Sequence, residues 1–143
     1  MPQTMLIREK IKVRGYDIDV MGIVSNTVYV RYFEDLRHSF LDKYMPYEEM
    51  VKLGVSPMLL RTEINYHSPL TIQDAPIGEV WVTHMGRSKW VMEFRITSGD
   101  VVHCTGMQTG CAFDLKQRKP CAFPAKLLEA YKAERAGLEQ HDA

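Results

Sequence analysis

Two carboxylates one residue apart, Asp17 and Asp19, are the side chains of this sequence most suggestive of chemistry. A D-x-D pair has three ordinary uses. It can share a divalent cation, but Mg and Ca sites need further oxygen ligands, and the flanking residues supply none in the pattern of a calcium loop. It can hold an aspartyl nucleophile and a partner acid, a chemistry housed on a parallel sheet whose strand–helix alternation is missing here. It can also be a solvated, turn-forming pair. The residues C-terminal to the pair decide its weight. Gly22 supplies a flexible turn, Ser25 or Asn26 can cap a helix, and an apolar helical period begins at Tyr29. A carboxylate just before a helix start lies near backbone N–H groups that lack intrahelical partners. Those groups can polarise a carbonyl and hold the oxyanion that forms on attack, the minimum equipment for acyl transfer.

The rival nucleophile is Cys104, next to His103. Adjacent strand residues point to opposite faces, so the two cannot form a thiolate–imidazole pair with each other, and Cys104 reads as a small core residue. His67 and His84 have neither an i, i+4 histidine nor a cysteine neighbour, so no metal site is expected. Glu34 and Arg37 lie three apart on the helix and read as a surface ion pair worth a few tenths of a kcal/mol. Arg87 and Lys89 flank a hairpin turn with Arg95 further along; a solvated turn is the ordinary reading and phosphate binding the functional one.

The elements that must position these groups emerge from periodicity. Met5, Ile7, Ile11 and Val13 alternate with charged residues, which predicts a half-buried strand ended by Gly15. Tyr29, Tyr32, Phe33, Leu36, Phe40 and Tyr44 recur at spacings of three and four, which predicts one long amphipathic helix. Pro46 to Gly54 forms an irregular or short helical connection. After Pro57 the period falls to two, and strands are predicted over Leu60–His67, Ile77–Met85, Lys89–Thr97 and Val101–Phe113, joined by Gly86-Arg87-Ser88 and Ser98-Gly99-Asp100 turns. Cys104, Gly106, Gly110 and Ala112 make a row of small side chains against which the long helix can lie close. Asp114 to Pro120 is a basic turn, and Pro124 opens a closing helix to about Ala136, with a mobile tail over 137–143. Hairpin connections leave no room for helical crossovers, so the class is α+β with a meandering antiparallel sheet.

At 143 residues and 45% hydrophobic content, the chain has the size of one domain, taken as residues 1–136. Lys plus Arg equals Asp plus Glu at 18 each, which leaves no global field for nucleic acid. Three cysteines without a CxxC pair fit a reducing compartment, the cytoplasm by default, and no stretch has the length and apolarity of a membrane span.

The stretch Tyr16, Asp17, Asp19, Gly22, Ile23, Val24, Tyr29, Phe33, Glu34 and Arg37 resembles the signature of hotdog-fold acyl-CoA thioesterases, in the branch of 4-hydroxybenzoyl-CoA and Tol-Pal-associated thioesterases. The similarity continues through Tyr66, Pro69, Asp74 and Phe123-Pro124. The resemblance implies a long central helix wrapped by an antiparallel sheet, a homodimer paired through edge strands with active sites at the interface, and dimers commonly assembled into tetramers. It implies that Asp19 is catalytic, that Asp17 supports it, and that a backbone N–H near Asn26 polarises the thioester carbonyl. Relatives often carry His or Tyr where this chain has Asn26, so the backbone role carries over and a side-chain role does not. The family's basic CoA-binding turn corresponds to Arg87-Ser88-Lys89, and no cofactor or metal is implied.

The reading is therefore an acyl-CoA thioesterase, with Asp19 as nucleophile or general base and Asn26, Arg87 and Lys89 as substrate-binding residues. A non-catalytic acyl-binding or assembly module on the same fold is the alternative, and a metal-dependent hydrolase using the D-x-D pair ranks third. The acyl group is not legible, because pocket walls contributed across a dimer cannot be assembled from one chain.

Overall fold

The computed structural model describes residues 3–142. The chain runs β1 (Thr4–Lys10), a 3-10 turn (Gly15–Asp17), α1 (Tyr29–Tyr44), α2 (Tyr47–Leu53), β2 (Val55–Tyr66), β3 (Ile77–Met85), β4 (Lys89–Ser98), β5 (Val101–Asp114), β6 (Lys119–Cys121) and α3 (Ala125–Asp142). All the strands lie in one antiparallel sheet of order β1-β3-β4-β5-β2, with the short β6 paired to the end of β5. The α+β class and the wrapped central helix are those expected from the sequence.

The apolar stripe of α1 explains its place. Tyr29, Tyr32, Phe33, Leu36 and Phe40 are all buried on one face. That face meets β5 at Gly106, one of its small residues, where a Cβ would lie 2.4 Å from the Phe33 ring. Phe33 in turn stacks on Phe94 of β4 at 4.3 Å between centroids. The missing side chain at Gly106 is thus what lets the helix settle onto the sheet. Cys104 and Ala112, on the same row, are fully buried.

The boundaries depart from expectation at the start of β2 and the end of α3. β2 begins at Val55 and runs through Pro57, because it is an edge strand paired to β5 alone and an edge tolerates a missing N–H. The connection before it is a true short helix, closed by Gly54 at φ +67°, whose N–H reaches the carbonyls of Met50 and Val51. α3 continues past Ala136 to Asp142, so the tail expected from Gly137 is helical as far as the described residues go. The basic turn after β5 is built on Asp114, whose Oδ1 accepts the N–H groups of Lys116 and Gln117, and it returns the chain as β6.

Buried charge is paired where it is structural. Glu79 on β3, 4% exposed, accepts two hydrogen bonds from Arg95 at 2.9 and 3.0 Å and one from Arg8 at 3.4 Å. Arg95 is committed to this pair on the sheet and is not part of a phosphate-binding turn.

Candidate active site

The segment between β1 and α1 folds back on itself before the helix begins. Ser25 N–H donates to the Asp17 carbonyl and Asp19 N–H to the Ile23 carbonyl, both at 2.9 Å, around an Ile18–Val24 bridge. Gly22, at φ +80°, turns the tip of this small hairpin in the left-handed region that favours glycine. Val24, 1% exposed, pins the returning arm by donating to the Leu70 carbonyl at 2.8 Å. The loop therefore hangs on the core by its second arm, and its tip residues Val20 and Met21 stand in solvent.

The two aspartates have separate employments. Asp17 is buried, and its Oδ2 accepts the Tyr32 hydroxyl at 2.8 Å and the Arg14 N–H at 2.9 Å. It ties the loop to the first turn of α1. Asp19 is half-buried; its Oδ1 accepts the Met21 N–H at 2.8 Å, while Oδ2 has no partner among the described residues. One oxygen fixes the carboxylate and the other is left free. The pair does not converge as metal ligands would, and among the described residues no three His, Cys, Asp or Glu side chains are grouped to hold an ion.

The helix start differs from the expected cap. Neither Ser25 nor Asn26 caps α1 with its side chain; a turn over Asn26–Val28 comes first, closed by Val28 N–H to the Ser25 carbonyl at 2.9 Å, and Val28 precedes the helix. Ser25 Oγ instead meets Thr27 Oγ1 at 3.0 Å. Among the described residues the N–H groups of Asn26 and Thr27 find no acceptor. Asn26 is exposed, and its carbonyl accepts the Tyr66 hydroxyl at 3.0 Å, which orients the turn from the end of β2. Tyr66 also meets Tyr29 edge to face at 5.2 Å.

Arg87 and Lys89 are exposed and lie elsewhere. Lys89 pairs with Cys111 on β5, whereas Tyr66, beside Asn26, pairs with Cys104. Seven residues of strand at about 3.3 Å each separate the two ends by roughly 23 Å. One chain thus carries Asp17, Asp19 and Asn26 on one folded loop and leaves the basic turn at the far end of its sheet.

The remaining candidates are occupied or inert. His103 is buried between the Ser68 carbonyl at 3.1 Å and Ser98 Oγ at 2.8 Å, and His67 Nε2 meets Thr105 Oγ1 at 2.9 Å. Burial pushes the Cys104 thiol up to about 12, which removes the thiolate a nucleophile would need. Burial and the hydrogen bond to Asp17 likewise raise the Tyr32 phenol far above its ordinary value, so it acts as a fixed donor.

Glu34 and Arg37 do not form the ion pair their spacing suggests. Glu34 lies 3.9 Å from His38 instead, and Arg37 turns inward. Sequence reasoning also missed Tyr32 and Tyr66. Both sit at apolar-stripe or strand positions where an aromatic ring reads as packing, and nothing in the spacing shows where a phenol hydroxyl will end.

The thioesterase-like superfamily profile matches residues 13–131. The chain belongs to the thioesterase-like superfamily. It is 26% identical over 126 residues to the long-chain acyl-CoA thioesterase FadM of Escherichia coli, covering 86% of this chain and 95% of that protein. Two solved structures share the fold at lower identity. A DHNA-CoA thioesterase from Staphylococcus aureus superposes with a TM-score of 0.86 at 20% identity, covering 95% of each chain. A second Staphylococcus aureus protein, solved in complex with CoA, gives 0.85 at 16%, covering 94% of this chain and 86% of that one. The superfamily match and the shared fold place the chain among proteins that include named thioesterases. The matches do not single out the 4-hydroxybenzoyl-CoA or Tol-Pal-associated branch.

Proposed function

We propose that the protein hydrolyses an acyl-CoA to the free acid and CoA, with Asp19 as the reactive group. The observation that carries this is the half-free carboxylate of Asp19, one oxygen held by Met21 N–H and the other unpartnered, in a loop beside the unpaired N–H groups of Asn26 and Thr27. The thioester carbonyl oxygen sits on those N–H groups, which stabilise the oxyanion as it forms. In one route Asp19 Oδ2 attacks the carbonyl carbon, the C–S bond breaks, and the resulting anhydride is opened by water. In the other Asp19 takes a proton from water as the water attacks, and the proton passes to the departing thiolate. A thiolate leaves without a strong general acid, so neither route needs one. Asp17, committed to Tyr32 and Arg14 N–H, keeps the loop in register.

The CoA end of the substrate brings in a second copy. β2 is a twelve-residue edge whose outer side is unpaired among the described residues, and Leu60 and Tyr66 on it are exposed. Antiparallel pairing of β2 with its own copy sets the Met58 end of one strand against the Tyr66 end of the other. The partner subunit's Arg87 and the partner subunit's Lys89 then approach this chain's Asp19 loop, where they can take the CoA phosphates. Two such dimers form the tetramer common in this fold. Three free thiols fit a reducing cytoplasm.

Asp19→Asn tests the assignment with a panel of acyl-CoAs and a thiol-release assay. Turnover falls by about 100-fold or more with the fold intact. Near wild-type turnover in a folded Asp19→Asn protein would sink the proposal. Asp17→Asn costs less, and identical losses in the two variants would overturn the division of roles.

A further inference from the structure

Among the described residues, Arg37 is the one inward-turned charged group that the fold leaves without a partner. Its Nε is sealed from solvent, and neither a hydrogen-bond acceptor nor a carboxylate within 4 Å meets the guanidinium among those residues. Burial pulls its pKa below the ordinary arginine value, and Glu34 one turn back opposes the shift without closing on it. Glu79 shows how this protein treats a structural buried charge, by giving it two arginines. Arg37 is half-buried and only partly desolvated, and the cost of sealing its Nε without an acceptor is offset when an anion or acceptor oxygen arrives.

Two spaces meet at this side chain. A small, partly open apolar pocket of about 30 Å³ lies between the C-terminal half of α1 and the sheet, walled by Phe40, Leu41, Trp90 and Met92. An open groove of about 580 Å³ runs outside α1 past Glu34 and His38 to the start of β2. Arg37 lines both. Glu34 and His38 also line the next groove along, which reaches Asp17. From Tyr29 to Arg37 the helix advances about 12 Å at about 1.5 Å per residue. Carbon on one side and a guanidinium at the boundary suit the far end of an acyl group better than a hydrated nucleotide.

We propose that Arg37 determines acyl specificity by receiving an oxygen acceptor, a hydroxyl or a carboxylate, carried at the end of the acyl group remote from the thioester. The proposal rests on the acyl-CoA reading for the source of that group; the recognition itself does not. A planar fork with no protein acceptor is free to bond such an oxygen through one or two N–H groups. An acyl group ending in methyl leaves the same donors unsatisfied, which is where discrimination arises.

The experiment pairs acyl-CoAs of equal length, octanoyl and dodecanoyl with their ω-hydroxy and ω-carboxy counterparts and benzoyl with its ring-hydroxylated forms, on wild type, Arg37→Met and Arg37→Lys. Free acids of the same pairs are titrated in parallel by tryptophan fluorescence, since Trp90 walls the cavity. Wild type favours the oxygenated member of at least one pair by about 10-fold or more in kcat/KM and in acid affinity. Arg37→Met brings that ratio to about one, and Arg37→Lys restores part of it. The denaturation midpoint of Arg37→Met does not fall, because an unpartnered guanidinium holds nothing in place. Turnover with no oxygen preference in any pair, or a preference unchanged in Arg37→Met, overturns the inference and leaves the thioesterase reading standing. If wild type hydrolyses none of the thioesters, that reading fails instead. The free-acid titrations then decide on Arg37 alone, with Arg37-dependent binding of the oxygenated acids supporting it and its absence overturning it.

Discussion

At the scale of single residues, the proposed site divides labour between two identical side chains. Asp17 and Asp19 differ by what surrounds them, the first inside a cage of donors and the second in a turn with one oxygen spare. The cage is testable through Tyr32. Tyr32→Phe removes a donor from a buried carboxylate and is expected to cost about 1–3 kcal/mol in a urea denaturation curve. It also lowers kcat more than it raises KM, since the loop bearing Asp19 loses its tie to α1; unchanged stability and turnover would mean the hydrogen bond positions nothing. The position of the D-x-D pair before the buried helix, not its spacing, drew attention to the segment. It did not show which aspartate is caged, because the donor comes from Tyr32, whose ring position is set by the helix and whose hydroxyl is set by tertiary packing.

At the scale of elements, local pattern and packing agree for α1 and disagree at its start. The 3.6-residue period of Tyr29, Tyr32, Phe33, Leu36 and Phe40 is strong enough to name both the helix and its buried face. Of the row of small residues on β5, Gly106 lies against the helix, whereas the space at Gly110 is taken by Trp90 and the Met58 carbonyl. Gly106→Ala checks this contact. A methyl group 2.4 Å from the Phe33 ring displaces α1 or the ring and destabilises by about 1–3 kcal/mol, read as a fall in Tm. A Tm within a degree of wild type would show that the helix has room to spare. The turn over Asn26–Val28 was hidden for a different reason. Ser25 and Asn26 are both good caps, and the choice between capping and an extra turn is made by Val24 on the Leu70 carbonyl and Tyr66 on the Asn26 carbonyl, contacts between residues some forty positions apart or more. Arg37 was misread likewise: the i, i+3 rule assumes that both side chains stay on the solvated face, and Arg37 turns its Nε inward while Glu34 stays exposed.

For the whole molecule, the unpaired edge of β2 is the feature on which the largest prediction stands. A long, exposed edge with apolar side chains invites either a specific partner or aggregation, and a second copy satisfies it symmetrically. Sedimentation of the wild type is expected to give a dimer or a tetramer, and Leu60→Glu on the exposed face of the edge to give a larger monomer fraction with loss of about 10-fold or more in turnover while far-UV CD is kept. A wild-type monomer with full thioesterase activity would remove the shared site. Charge adds no obstacle to this association, because the chain is formally neutral.

The same strand also orders events in time. β2 has one neighbour, β5, and the ladder joins Val55 to Asp114 and Tyr66 to Cys104. A ribosome therefore releases the Asp19 loop, α1 and β2 well before the strand that fixes them, and a truncated nascent chain can form the helix but has nothing to hold Tyr66 against the Asn26 carbonyl. The hairpin of β4 and β5 has a short connection, and β2 can pair only once β5 is present. The Asn26 turn is thus held from β2 only once β5 has been made, and a chain stopped short of β5 carries Asp19 without that support.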